Sequence, residues 1–190
     1  MLTIILPSYK EPKAHDTLRK CKAEFPDAQV IISPDDTGRG KGWAVKKGVM
    51  AANGDVIALL DGDGDIHPRM LKRLLPFLED WDIVVGSKNY TGMRFNRKII
   101  TLLSRTYIKV MFGLDFTTQT GIKVMRSNVL PYWESNGFMF DLEFLTKAYR
   151  SGYTIIEIPV IAKSTKSKSL EVIWASFLDS IKIWFRLLSL

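Results

Sequence analysis

Thiols and imidazoles are scarce in this chain. Among 190 residues there is one cysteine, Cys21, and there are two histidines. A lone thiol makes no internal disulfide, so no disulfide framework holds the fold, and a reducing compartment suits it. A structural zinc cluster takes four nitrogen or sulfur ligands, more than so few residues readily supply. Long uncharged apolar runs are also missing. A membrane-crossing helix needs about 20 consecutive apolar residues. The most apolar stretch, residues 170–190, is interrupted by Glu171, Asp179, Lys182 and Arg186. The opening MLTIILPSYKEP has no basic region and only a short apolar run, unlike a secretory leader. No internal repeat and no interdomain linker is visible. With 46% hydrophobic and 25% charged residues the composition is that of an ordinary globular domain, which excludes disorder and collagen-like repeats. The length corresponds to one domain.

What is present is positive charge. Lys and Arg number 27 against 20 Asp and Glu, a net +7. Anionic partners follow: phosphates, a lipid surface or nucleic acid. Nucleic acid is disfavoured, because the basic residues are not interleaved with aromatics on strands.

Strand-like and helical segments alternate. Apolar runs predict strands at 2–6, 30–33, 56–60 and 83–86. Helices are expected at 14–24, at 43–52 before Asn53-Gly54, and at 68–80, where Pro68 suits a first helical position. Met70, Leu71, Leu74, Leu75 and Leu78 make the buried stripe of that third helix. Such alternation predicts a mostly parallel sheet flanked by helices, an α/β fold with ligands at the carboxyl ends of its strands. Further on, helices are expected at 97–114 and at 141–150, the latter with Leu142, Leu145, Ala148 and Tyr149 inward. Strands are expected at 122–125 and at 153–161, where Pro159 indicates an edge. A basic loop, KSTKSKS, fills 163–169.

Residues 1–169 read as the domain and 170–190 as an amphipathic helix. Trp174, Phe177, Leu178, Ile181, Trp184 and Leu188 fall on one side of it, with Lys182 and Arg186 on the other. That pattern fits a bilayer surface. The plainer readings are packing on the domain or on a second copy in a homo-oligomer.

The sharpest motif is VIALLDGDGDIHP, in which an apolar strand runs into Asp61, Asp63 and Asp65. Carboxylates this close repel unless a cation intervenes. An EF-hand loop counted from Asp61 would need glycine at Ile66 and glutamate at Lys72, so that reading fails. Mg²⁺ or Mn²⁺ held by Asp61, Asp63 and Asp65, and gripping substrate phosphates, fits better. The bland alternative is an acidic turn before Pro68.

Taken in order, TIILPSYKE, GRGKGWAVKKG, GDVIALLDGDGD, VVGSKNY, TQTGIKVMRS, FMFDLEFLTKAYRSGYTIIEIPV and KSKSL resemble glycosyltransferase family 2 with the GT-A fold. The subgroup they look most like is the polyprenyl-phosphate sugar synthases. The resemblance implies donor binding by Pro7, Tyr9 and Glu11, by Asp35 or Asp36, by Lys41 and by Asp61. It implies a metal-binding DxD element at Asp61 and Asp63, with Asp63 catalytic and Asp65 a candidate third ligand. Asp141 and Glu143 match an F-D-x-E element and are the further catalytic candidates. Being about 200° apart on a helix they cannot serve one point, so one should face the site and the other cap the helix or point to solvent. Lys88, Arg94, Arg97, Gln119 and Lys168 are the acceptor-side candidates. Lys123, Arg126, Lys163 and Lys166 add to the basic residues of that half. The chain departs from the family in four places: the segment between Asp36 and the GKG element is short, the H-P pair at His67-Pro68 is shifted by one residue, Lys88 stands where arginine is usual, and Thr118 replaces an aspartate.

The implied reaction moves a hexose from a UDP- or GDP-sugar to a polyprenyl phosphate with inversion. The alternative acceptor is a saccharide or glycan hydroxyl, which would need a base. The implied location is cytoplasmic, peripheral on the cytoplasmic face of a membrane.

Overall fold

The computed structural model describes residues 1–9, 11–88, 95–116, 118, 120–130, 132–163 and 170–188. Six strands form one sheet: β1 (Leu2–Ser8), β2 (Gln29–Pro34), β3 (Val56–Leu60), β4 (Ile83–Lys88), β5 (Ile122–Arg126) and β6 (Ile155–Val160). Their spatial order is β2-β1-β3-β5-β4-β6. All run parallel except β5, which is antiparallel to both β3 and β4. The sheet is apolar on both faces, as expected of strands covered by helices on each side. Ile4, Leu6, Ala58, Leu60, Val84, Ile122 and Val124 pack on one face with Cys21, Leu71 and Leu74. Ile5, Ile57, Leu59, Ile83, Val85 and Met125 pack on the other with Val45, Phe140, Phe144 and Leu145.

The helices are α1 (Ala14–Glu24), α2 (Lys41–Met50), α3 (Leu71–Leu74), α4 (Phe95–Phe112), α5 (Phe140–Arg150) and α6 (Leu170–Leu188). Residues 68–80 are not the continuous helix expected. They form 3₁₀ turns at Pro68–Met70 and Leu75–Glu79 around the single α turn of α3. Pro76 is the cause, since it lacks an N–H and its ring clashes with the carbonyl four residues back. Leu71, Leu74 and Leu78 are nonetheless buried as the stripe demanded. In α5, Leu142, Leu145 and Ala148 point inward, but Tyr149 is half exposed and meets Phe116 edge-on. Strand β6 lies at the sheet edge with Pro159 opposite Ser87, as Pro159 required.

Helix α6 differs from expectation in which side it buries. Ser180, Ile183 and Leu187 face the domain. Tyr107 of α4 shares a hydrogen bond with the Ser180 hydroxyl at 3.0 Å, and Arg150 of α5 donates to the Leu187 carbonyl at 2.7 Å. Arg186 also faces the domain, where its partners are carboxylates. Trp174, Phe177, Leu178, Phe185 and Leu188 are exposed, and so are Leu102, Leu103 and Val110 of α4.

Candidate active site

Strand β3 ends at Leu60, and the next residue emerges at the carboxyl edge of the sheet. The Asp61 N–H donates to the Gly121 carbonyl at 2.8 Å, which ties the strand end to the entry of β5. A Cβ at 121 would lie 2.3 Å from Asp61 Oδ2, so glycine there leaves the Asp61 carboxylate in its place. Asp61 Oδ1 meets Lys41 Nζ at 2.6 Å. Lys41 is the first residue of α2, and the approach to it is equally tight. Gly40 has φ 110°, and a Cβ on it would sit 2.6 Å from the Asn136 carbonyl.

Lys41 also faces Asp141 Oδ2 at 3.9 Å, and Asp141 Oδ1 lies 2.9 Å from Lys123 Nζ. Carboxylates and ammonium groups thus alternate from β3 through α2 and α5 to β5. Burial alone would push the Lys41 ammonium down, but Asp61 and Asp141 outweigh it and raise its pKa, with Asp63 adding to the effect. At Lys123 burial wins and the pKa is lowered, although Asp141 opposes the shift.

Asp63 Oδ1 accepts from the Asp65 N–H at 3.0 Å, and Thr17 holds the Gly62 carbonyl at 3.0 Å, so the DGDGD turn is fixed from within and from α1. Among the described residues no three His, Cys, Asp or Glu side chains are grouped to hold a metal ion. The expected cluster of Asp61, Asp63 and Asp65 is therefore not gathered: Asp61 is drawn to Lys41 and Asp63 to the turn backbone. The donor set still fits a hard cation. Asp61 and Asp63 offer carboxylate oxygens at one edge, and the Asp61 side chain is about a third exposed.

A cavity of about 430 Å³ opens beside this cluster, lined by Ser8, Tyr9, Glu11, Ala14, Asp35 and Asp36 among others. It approaches the DGDGD turn through Ala14, whose Cβ would lie 3.5 Å from a Cβ placed on Gly62. Four of the expected donor residues, Tyr9, Glu11, Asp35 and Asp36, thus share one cavity. Pro7 is buried inside β1, short of its wall. The two aspartates have different tasks. Asp35 is 4% exposed and accepts from the N–H groups of Arg39 and Gly40, which forms the turn into α2. Asp36 is largely exposed, with Lys47 at 4.0 Å.

Glu143 is not at this cluster, and it neither caps a helix nor points to solvent. It is fully buried and accepts from the N–H groups of Glu134 at 3.0 Å and Ser135 at 2.9 Å, and from the Ser135 hydroxyl. Lys147 and Arg186 each approach it to 3.1 Å. Burial works against its charge, but these donors prevail and hold its pKa down to about 2. Arg126, at the opposite end of β5, donates to the Leu78 carbonyl and lies away from the cluster. Arg94, Gln119 and Lys168 lie outside the described residues, as do the side chains of Lys88 and Arg97. Thr118 is buried, and its hydroxyl has no hydrogen-bond partner among the described residues. Sequence reasoning did not single out Gly121, or Lys123 as a buried partner of Asp141. A lysine inside the apolar run IKVM was the available signal for the second.

The sequence pattern of the family described as Glycosyl transferase family 2 matches residues 4–132, more than half of the chain. The chain belongs to that family. This family 2 glycosyltransferase is similar to an undecaprenyl-phosphate mannosyltransferase of Micrococcus luteus, 27% identical over 205 aligned positions that cover 84% of this chain and 82% of the relative. It is also similar to a polyprenol monophosphomannose synthase of Mycolicibacterium smegmatis, 24% identical, covering 64% of this chain and 48% of that protein. In fold it matches the glucosyl-3-phosphoglycerate synthase of M. tuberculosis with a TM-score of 0.75 at 16% identity, over 96% of this chain and 78% of that one. A crystal structure of that synthase with Mn²⁺, UDP and phosphoglyceric acid matches with a TM-score of 0.75 at 17% identity, over 96% and 76% of the two chains.

Proposed function

We propose that this glycosyltransferase moves a hexose from a nucleotide-diphosphate sugar to a polyprenyl phosphate. The observation that carries the reading is the pairing of an open cavity with a charged cluster at one sheet edge. The cavity of Tyr9, Glu11, Asp35 and Asp36 has room for a nucleoside, and Lys41 and Asp61 stand where a diphosphate would leave it. The names of the two relatives, which act on undecaprenyl phosphate and form polyprenol monophosphomannose, support the acceptor class.

In this mechanism Lys41 keeps its positive charge and binds the diphosphate. Asp61 and Asp63 would hold Mg²⁺ or Mn²⁺, which supplies charge neutralisation for the departing nucleoside diphosphate. An acceptor phosphate is already anionic near neutral pH and needs no strong base. Its oxygen forms the bond to the anomeric carbon as the bond to the diphosphate breaks on the opposite face, giving inversion. Asp141 is held between two ammonium groups, which suits a positioning role better than proton abstraction from a hydroxyl. This favours the phosphate acceptor over a saccharide.

No helix among the described residues is long and apolar enough to cross a membrane. The exposed Trp174, Leu178, Phe185 and Leu188 recur at helical spacing along α6, and Leu102 and Leu103 of α4 are exposed as well. That surface would seat the enzyme peripherally on the cytoplasmic face of a bilayer, with aromatic rings in the headgroup layer.

The test is a panel of UDP- and GDP-sugars with Mn²⁺ or Mg²⁺, with and without polyprenyl phosphate, read by product mass. A lipid-linked hexose is expected. Transfer to free saccharides alone would refute the acceptor, and full activity in EDTA or in Asp63→Ala would refute the metal.

A further inference from the structure

Lys123 is one of the largest fully buried side chains, at 1% exposure. It sits opposite Leu59 on one neighbouring strand and Val85 on the other, both members of the apolar core. Burying an ammonium group there is costly, and an ion pair replaced by apolar residues of similar volume often leaves a protein equally or more stable. Packing alone therefore gives no reason for lysine at 123. Its contacts do.

Lys123 Nζ lies 2.9 Å from Asp141 Oδ1 and donates to the Thr120 carbonyl at 2.6 Å. The first contact is an ion pair without hydrogen-bond geometry, and it holds by charge the carboxylate whose other oxygen faces Lys41. The second fixes the segment leading to Gly121, the residue that receives the Asp61 N–H. Both routes end at the Lys41–Asp61 pair. Lys123 itself is shut off from solvent and from any substrate.

We propose that Lys123 is a positioning residue: acting through Asp141, it aims the Lys41 ammonium at the diphosphate site beside Asp61. The inference rests on the donor reading above, and the test separates the two. Lys123→Met, Asp141→Asn and the double variant are compared by the rate at which an amine-acylating reagent labels Lys41, read by peptide mass, and by kcat and KM for the nucleotide-sugar donor. A displaced catalytic group costs about 10–100-fold. Each single variant should therefore lose about that much kcat/KM for the donor, chiefly as a raised donor KM, and should label Lys41 about tenfold faster than the parent does. Acting through Asp141 requires non-additivity, so Lys123→Met should add nothing in the Asp141→Asn background. That background also leaves no unpaired buried carboxylate, so it supplies the comparison even if Lys123→Met alone does not fold. Parental labelling of Lys41 in the double variant, or effects that multiply, would overturn the proposal. A parent enzyme that turns over no nucleotide sugar, with Lys41 labelling still responding as expected, would overturn the donor reading and leave the positioning intact.

Discussion

Replacing Glu143 should destabilise the fold more than replacing any other carboxylate described above. Its two oxygens satisfy two backbone N–H groups and one hydroxyl, and they balance Lys147 and Arg186. Removing one partner of a buried charge pair costs about 3–5 kcal/mol. The titration shift gives a consistent figure. A fall from 4.5 to about 2 corresponds to roughly 3 kcal/mol. The folded-state pKa is depressed, so this stability is fully present above about pH 5 and is lost as pH falls from the unfolded value towards 2. Glu143→Gln keeps the shape and one acceptor oxygen but removes the charge. Urea denaturation followed by circular dichroism should show the variant less stable than the parent by about 2–4 kcal/mol at pH 7. The gap should narrow steadily below pH 4.5, as the carboxyl of the unfolded chain takes up its proton while the folded parent's stays charged until about pH 2. A gap under about 1 kcal/mol at pH 7, or one that stays constant down to pH 3, would refute this account of Glu143.

Gly121→Ala places a methyl group 2.3 Å from Asp61 Oδ2, so donor turnover should fall at least about tenfold while the fold loses only about 1–3 kcal/mol; a fully active variant would show that Asp61 can move freely. Burial raises the Cys21 thiol to about 12, so the native protein at pH 8 should leave a disulfide reagent unreacted and consume one equivalent only on unfolding. Fast stoichiometric reaction of the folded protein would contradict that burial. Leu178→Glu with Phe185→Glu should release the protein from anionic liposomes without lowering transfer to a short water-soluble acceptor. Unchanged flotation would reassign that face to contact between copies.

The strands around the site were legible because each is an apolar run that stops abruptly at a polar turn, as at Leu60-Asp61. Where two residues of one type stand together, the sequence alone leaves them equivalent. Only the turn geometry separates Asp35, committed to the backbone entering α2, from the exposed Asp36. Helical spacing correctly separates Asp141 from Glu143. It cannot reveal what Glu143 does, because its partner Arg186 lies 43 residues further along the chain. Helix α6 was legible as amphipathic but not in orientation. It carries two apolar stripes, and only the positions of Tyr107, Arg150 and Glu143 decide that Ile183 and Leu187 face inward. The helix expected at 68–80 failed at Pro76: the stripe of Leu71, Leu74 and Leu78 keeps its period, but Pro76, on the exposed side, cannot keep the hydrogen bonding.

The antiparallel β5 has a consequence for how the enzyme is born. Strands β1, β2 and β3 come from the first 60 residues, whereas β4, β5 and β6 come from residues 83–160. Among the described strands, backbone pairing joins the two sets through the β3–β5 ladder, with one isolated bridge from Ile66 to Ala162. Asp61 and Lys41 belong to the early set and Gly121, Lys123 and Asp141 to the late one. A ribosome adding about 5–20 residues per second exposes the early set several seconds before its counterpart exists. Throughout that interval the nascent chain carries Lys41 and Asp61 without the lysine and aspartate that anchor them, so the charged cluster cannot be assembled before Asp141 has left the exit tunnel.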